Sequence, residues 1–205
     1  MLRRALLALL LVVAGATGAA AADRLEATVL NRPLALPDFA LADQNGAPFT
    51  LQQLKGHWSL LAIGYTSCPD VCPFTLANLN AVLETAAAQG GANVAPRVIF
   101  IAVDPARDQP VLKQWIEQFN PHFIGITGEP AQIEKLVTSV GAVYRIGKPD
   151  ASGWYSVAHS AAVAVIDPEG RVRARLLPPM PPKATAGFLA RLMSSESTAE
   201  ADVAK

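Results

Sequence analysis

Two apolar runs organise the chain. Trp58 to Tyr65 reads W-S-L-L-A-I-G-Y, and Arg97 to Val103 reads R-V-I-F-I-A-V. Runs of this length predict strands buried on both faces. Between them, Phe74, Leu76, Leu79, Val82 and Leu83 recur close to helical period. They predict a helix over Pro73 to Ala88, ended by Gly90-Gly91. Strand, helix, strand is a βαβ unit, whose crossover is right-handed. Downstream, Asp108 is placed to cap a helix running through Phe119. Phe123 to Thr127 reads as a short strand, and Ala131 to Val140 as a helix closed by Gly141. Val163 to Ile166 and Val172 to Leu177 flank Asp167-Pro-Glu-Gly170 and form a hairpin. Upstream, Phe39 to Phe49 folds back at Asn45-Gly46, a hairpin turn signal. Leu51 to Leu54 supply one turn of helix.

The ends carry weaker patterns. Asp23 to Pro37 leads toward an edge segment, and residues 23–35 are expected to be a linker. Pro178-Pro-Met-Pro-Pro182 breaks the chain before a last helix over about Ala184 to Met193. Residues 194–205 are small and polar and are expected to lack fixed structure. No internal repeat is visible. One α/β domain over residues 36–193 follows. Its element order resembles the thioredoxin fold, with a mixed central sheet, an N-terminal β-hairpin extension and flanking helices.

Composition narrows the function. The chain has 205 residues, 51% hydrophobic and 17% charged, which suits a globular core. Lysine plus arginine equal aspartate plus glutamate, 17 against 17, so no field of one sign draws a polyanion. Nucleic acid is therefore not an expected partner. Residues 1–22 have the form of a secretory signal: Arg3-Arg4, an apolar run over Leu6 to Val13, then Ala20-Ala21-Ala22 before Asp23. The expectation is export to the periplasm or the outer face of the inner membrane. The membrane becomes a partner only if this segment stays uncleaved as an anchor.

Export makes the two cysteines informative. Cys68-Pro-Asp-Val-Cys72-Pro73 falls where the first buried strand gives way to the helix. Ligands bind at such strand ends in open α/β sheets. Pro73 suits the first turn of a helix, which puts Cys72 at or beside the N-cap, where unpaired backbone N–H groups stabilise a thiolate. The spacing is C-x3-C. The sulfurs can meet as a disulfide, or splay around a soft cation. A bridge closing so small a loop would stabilise little. Haem attachment needs C-x2-C-H, and a structural zinc site needs about four ligands.

Copper(I) favours thiolate, thioether and imidazole. Two thiolates and one imidazole would make a three-coordinate site, and the histidines are His57, His122 and His159. His57 precedes the first buried strand, at its far end from the cysteines. His122 follows Pro121 in a loop. His159 enters at the late hairpin, which in a thioredoxin-like fold faces the cysteine turn. His159 is therefore the chosen third ligand. Met180, between two proline pairs, reads as linker.

With these residues in hand, the chain resembles the Sco/SenC family of copper proteins of cytochrome oxidase assembly, over roughly Leu36 to Met193. The resemblance rests on Gly64-Tyr65 with Cys68-Pro69-Asp70-Val71-Cys72-Pro73. Val103-Asp104-Pro105 with Arg107-Asp108, Phe123-Ile124-Gly125 with Thr127-Gly128, and His159-Ser160 with Asp167-Pro168 and Gly170 support it. It implies one copper, Cu(I) or Cu(II), held by Cys68, Cys72 and His159. It also implies a client, the copper-receiving subunit of a haem-copper oxidase, with a further copper carrier or thiol reductase as a second partner. Two positions depart from the family pattern. Ser67 stands where His or a larger residue is frequent, and Ala158 where Asp commonly precedes the ligand histidine. Asp104 and Asp108 read as a turn residue and a helix cap, and Arg107 as a loop partner.

Three functions compete on this fold. A metallochaperone needs the two thiolates and the imidazole. A thiol–disulfide oxidoreductase uses the same thiols but favours C-x2-C and a proline beside the active site, where this chain has His159. A thiol peroxidase would place Thr-x-x-Cys at the strand end, and Thr66-Ser67-Cys68 has the wrong spacing.

Overall fold

A computed structural model describes residues 24–91 and 95–203. The expected signal segment, residues 1–22, lies outside the described residues. The elements in chain order are β1 (Glu26–Ala35), β2 (Ala40–Asp43), β3 (Pro48–Thr50), α1 (Leu51–Leu54), β4 (Ser59–Gly64) and α2 (Val71–Ala86). They continue with β5 (Arg97–Ala102), α3 (Pro105–Asp108), α4 (Leu112–Glu117), β6 (Ile124–Thr127) and α5 (Pro130–Ser139). Last come β7 (Tyr144–Ile146), β8 (Val157–His159), β9 (Val163–Ile166), β10 (Arg171–Leu177) and α6 (Pro182–Val203).

Eight strands form one mixed sheet in the order β1-β10-β9-β4-β5-β6-β2-β3. The two apolar runs are its centre. All six residues of β4 are buried, and β4 pairs in parallel with β5 from Ser59↔Arg97 to Gly64↔Ala102. Burial on both faces is why these strands carry no hydrophobic alternation. β5 pairs in parallel with β6, and β9 returns antiparallel on β4. The N-terminal hairpin β2–β3 extends the sheet beyond β6 through Ala42↔Thr127 and Asp43↔Ile126. Its turn is closed by Asp43, whose side chain accepts the N–H groups of Asn45 and Ala47, with Gly46 at φ +81. α1 is opened by a capping box of Thr50 and Gln53. The mixed sheet, hairpin extension and flanking helices agree with the thioredoxin-like architecture expected from the sequence.

Four elements differ from the sequence reading. Residues 23–35 were expected to be a linker, but Glu26–Ala35 form β1, paired antiparallel with β10 from Glu26↔Leu177 to Ala35↔Arg171. An edge strand that buries almost none of its side chains has no core-facing period to read. The helix expected from Asp108 through Phe119 is instead two short helices, α3 and α4. Pro110 falls in the gap, where it has no N–H with which to continue the helical hydrogen bonds. Asp108 is therefore not an N-cap but the last residue of α3. The last helix starts at Pro182 rather than Ala184 and is helical to Val203, through residues expected to lack structure. Finally, β7 and β8 form a separate two-stranded ribbon, Tyr144↔His159 to Ile146↔Val157, which the sequence reading did not anticipate.

Candidate metal centre

The site is built at the carboxyl end of β4. Gly64 ends that strand, and a Cβ there would lie 2.6 Å from Cys72 Sγ and 2.7 Å from Phe100 Cε2. Only glycine lets Cys72 come this close to the strand. The chain then turns through Tyr65 and Thr66, both buried, and Cys68 N–H donates to the Tyr65 carbonyl at 3.2 Å. α2 begins at Val71, so the C-x3-C spacing splits the pair between two settings. Cys68 lies in the turn before the helix, and Cys72 lies within its first turn. The Cys72 backbone N–H points at Cys68 Sγ, 3.5 Å away.

The sequence placed the stabilised thiolate at Cys72; the structure places it at Cys68. Burial alone would raise the Cys68 thiol, but the backbone N–H groups of Asp70 and Cys72, with the Cys72 and Tyr65 side chains, outweigh it and hold the thiol below its ordinary range. These are the free donors of a helix N-terminus, which favour negative charge. Cys72 is pushed strongly upward, first by burial and then by the nearby Cys68 sulfur. Burial also raises the Tyr65 phenol, with Cys68 adding to the effect.

His159 ends β8 and completes the group. Its Nε2 lies 3.3 Å from Cys72 Sγ, and its Nδ1 lies 2.9 Å from the Ser160 carbonyl oxygen. A carbonyl only accepts, so Nδ1 carries the proton and Nε2 keeps its lone pair toward the sulfurs. This is the tautomer a metal needs at Nε2. The ligand atoms of Cys68, Cys72 and His159 all lie within 4.8 Å of one another. Among the described residues this is the one His, Cys, Asp and Glu cluster of metal-binding geometry. His57 and His122 are both exposed and stand outside it. Both cysteines are unbridged. Met180, read as linker, is buried, and its carbonyl accepts a hydrogen bond from Asn78 on α2.

The family model described as SCO1/SenC matches residues 28–194. The chain belongs to the SCO1/SenC family.

A relative from Stutzerimonas stutzeri is 34% identical over 159 residues, which cover 77% of this chain and 76% of that protein. The matches to SCO2-like proteins of Rickettsia prowazekii and Rickettsia felis span 64% and 65% of those proteins. The structure of Bradyrhizobium japonicum ScoI with copper bound is 35% identical, with a TM-score of 0.67, and covers 77% of this chain and 98% of that one. Yeast Sco1 with copper bound is 29% identical, with a TM-score of 0.72, covering 80% of this chain and 90% of that one.

Around the cysteines and the histidine of this Sco domain, the fold assembles a polar cluster that sequence reasoning missed. Asp108 is fully buried and accepts from Thr66 N–H at 2.7 Å, from Thr66 Oγ1 at 2.8 Å and from Asp104 N–H at 3.0 Å. Burial raises its carboxyl, and the Thr66 and Asp104 bonds offset part of the rise. Asp108 thus anchors the cysteine turn rather than capping a helix. Arg107 pairs with Asp104 and donates to the Tyr155 carbonyl. The one sequence signal was the Asp104-Pro105 and Arg107-Asp108 motif itself, whose partners lie over 40 residues away at Thr66 and Tyr155.

Proposed function

We propose that this chain is an exported copper metallochaperone. It holds one copper ion through Cys68 Sγ, Cys72 Sγ and His159 Nε2, and supplies it to the binuclear copper centre during cytochrome c oxidase assembly. The observation that carries the reading is the convergence of two thiol sulfurs and one correctly protonated imidazole within 4.8 Å. The donor set fits copper. Thiolate and imidazole suit Cu(I), and with further ligands Cu(II), whereas magnesium and calcium prefer oxygen. The copper-bound Sco relatives support the same metal. Family membership supports the oxidase as client, with its copper-receiving subunit as partner. The N-terminal sequence pattern supports export to the periplasm. Among the described residues, no helix is long and apolar enough to cross a membrane.

A second reading, a thiol–disulfide oxidoreductase acting on the cysteines of the same client, is favoured by one observation. The pair is asymmetric, with Cys68 the more acidic thiol and Cys72 the more deeply buried partner beside it. That is the arrangement of an attacking and a resolving thiol. The two roles use the same sulfurs and alternate: a reversible Cys68–Cys72 disulfide excludes copper, because the metal needs both thiolates.

The test is anaerobic titration against a chromophoric Cu(I) chelator. Reduced protein takes up one copper per chain, and oxidised protein takes up none in competition. Cys68→Ala and Cys72→Ala each lose competitive binding. His57→Ala and His122→Ala bind as the parent does. Equal uptake by the oxidised and reduced forms would place the site elsewhere.

A further inference from the structure

Arg107 stands where the two halves of the site meet. One half is the cysteine turn, from Tyr65 to Cys72. The other is the segment from Tyr155 to His159 that enters β8. The Arg107 guanidinium carbon lies 3.7 Å from the centre of the Tyr155 ring and 5.5 Å from the centre of the Tyr65 ring. Its Nη1 donates to the Tyr155 carbonyl at 2.9 Å, and its Nε to Asp104. The Tyr155 hydroxyl donates to the other Asp104 oxygen at 3.3 Å. Asp104 is tied through its N–H to Asp108, and Asp108 is tied twice to Thr66 in the cysteine turn. The Tyr65 ring in turn meets the His159 ring edge-on, with centroids 6.1 Å apart. A continuous set of contacts therefore runs from the cysteine turn through Arg107 to the strand that carries His159. The planar guanidinium serves it by stacking and hydrogen bonding at once, which lysine does not do.

We infer that Arg107 is a positioning residue for His159. It ties the Tyr155 segment to the cysteine turn, so that Nε2 stands beside the sulfurs before any metal arrives. This inference rests on the copper reading above. Two thiolates hold Cu(I) with little help, but Cu(II) needs the nitrogen ligand. Loss of Arg107 therefore falls mainly on Cu(II), in the manner of outer residues that orient a ligand histidine.

The experiment is a double-mutant cycle of Arg107→Ala with His159→Ala in the reduced full chain. Cu(II) affinity and the sulfur-to-copper absorption bands are read alongside NMR of the metal-free protein. The expected result for Arg107→Ala is a Cu(II) affinity lowered about 10–100-fold, with bands moved toward those of His159→Ala. Cu(I) affinity changes less. Adding Arg107→Ala to His159→Ala costs no further affinity, because both act through one ligand. In the metal-free protein, Arg107→Ala weakens the cross-relaxation between the Tyr65 and His159 rings. Arg107→Lys, which keeps the charge near Asp104, carries the same readouts if the alanine variant does not fold, and falls between the two. Parent-like Cu(II) bands with unchanged ring contacts would overturn the inference. So would losses that add in full to those of His159→Ala, the mark of a merely structural role. If the parent protein bound no copper, the metal reading would fall, and the ring contacts of the metal-free protein would still decide whether Arg107 positions His159.

Discussion

Cys68 and Cys72 are the same residue type four positions apart, yet the helix start gives them opposite chemistry. Cys68 accepts backbone N–H groups and is held low; Cys72 is driven upward by burial. A lowered thiol ionises earlier as pH rises, so at neutral pH Cys68 carries the larger thiolate fraction. Iodoacetamide added to the reduced, metal-free protein should label Cys68 well before Cys72. Peptide mapping by mass spectrometry checks this, and first labelling at Cys72 would contradict it. Gly64 is as constrained as the cysteines. Gly64→Ala forces its new methyl against Cys72 Sγ and the Phe100 ring. Overpacking of this kind costs about 1–3 kcal/mol. Urea denaturation should register that loss, and the Cu(I) competition assay should show weaker binding, because Cys72 is the atom displaced.

At the scale of elements, legibility followed burial. β4 and β5 were plain in the sequence because their buried positions from Leu60 and Val98 onward are uninterruptedly apolar. β1 was not, since its Glu26, Thr28 and Arg32 face outward and its edge role depends on β10, well over a hundred residues away. The β7–β8 ribbon has three-residue strands, too short for any period. The motif Asp104-Pro105-Ala106-Arg107-Asp108 was visible, but its task was not, because a carboxylate that anchors a distant turn looks in sequence like one that caps a helix. Asp108→Asn tests that task. The carboxylate accepts on both oxygens, and an amide turns one of them into a donor facing an N–H. Leaving a buried donor unsatisfied costs about 1–3 kcal/mol. Urea denaturation should show that loss, and a parent-like midpoint would show that the carboxylate does not anchor the turn. β1 makes a second test. Deleting residues 24–35 bares the outer edge of β10, and open edges recruit other chains. Light scattering should then give a larger particle mass than for the full chain, while an unchanged mass would show that the edge needs no cover.

Across the whole molecule, the end of β4 in the main sheet and the separate β7–β8 ribbon bring the cysteine pair and a distant histidine together. The β4–α2 turn carries both cysteines, and β8 delivers His159 from 87 positions beyond Cys72. The sequence offered all three as candidates: sulfur and imidazole are scarce in this chain, with two cysteines and three histidines, and the expected thioredoxin-like topology set His159 opposite the cysteine turn. It did not reveal the tautomer, since that is set by the Ser160 carbonyl, nor the clamp of Arg107 between two tyrosines. The central claim is that these three side chains hold copper together. X-ray absorption at the copper edge of the Cu(I)-loaded protein tests it most directly. The account predicts two sulfur scatterers and one nitrogen scatterer per copper, with the nitrogen lost in His159→Ala and both sulfurs kept. A single sulfur, or a nitrogen shell that survives in His159→Ala, would contradict it.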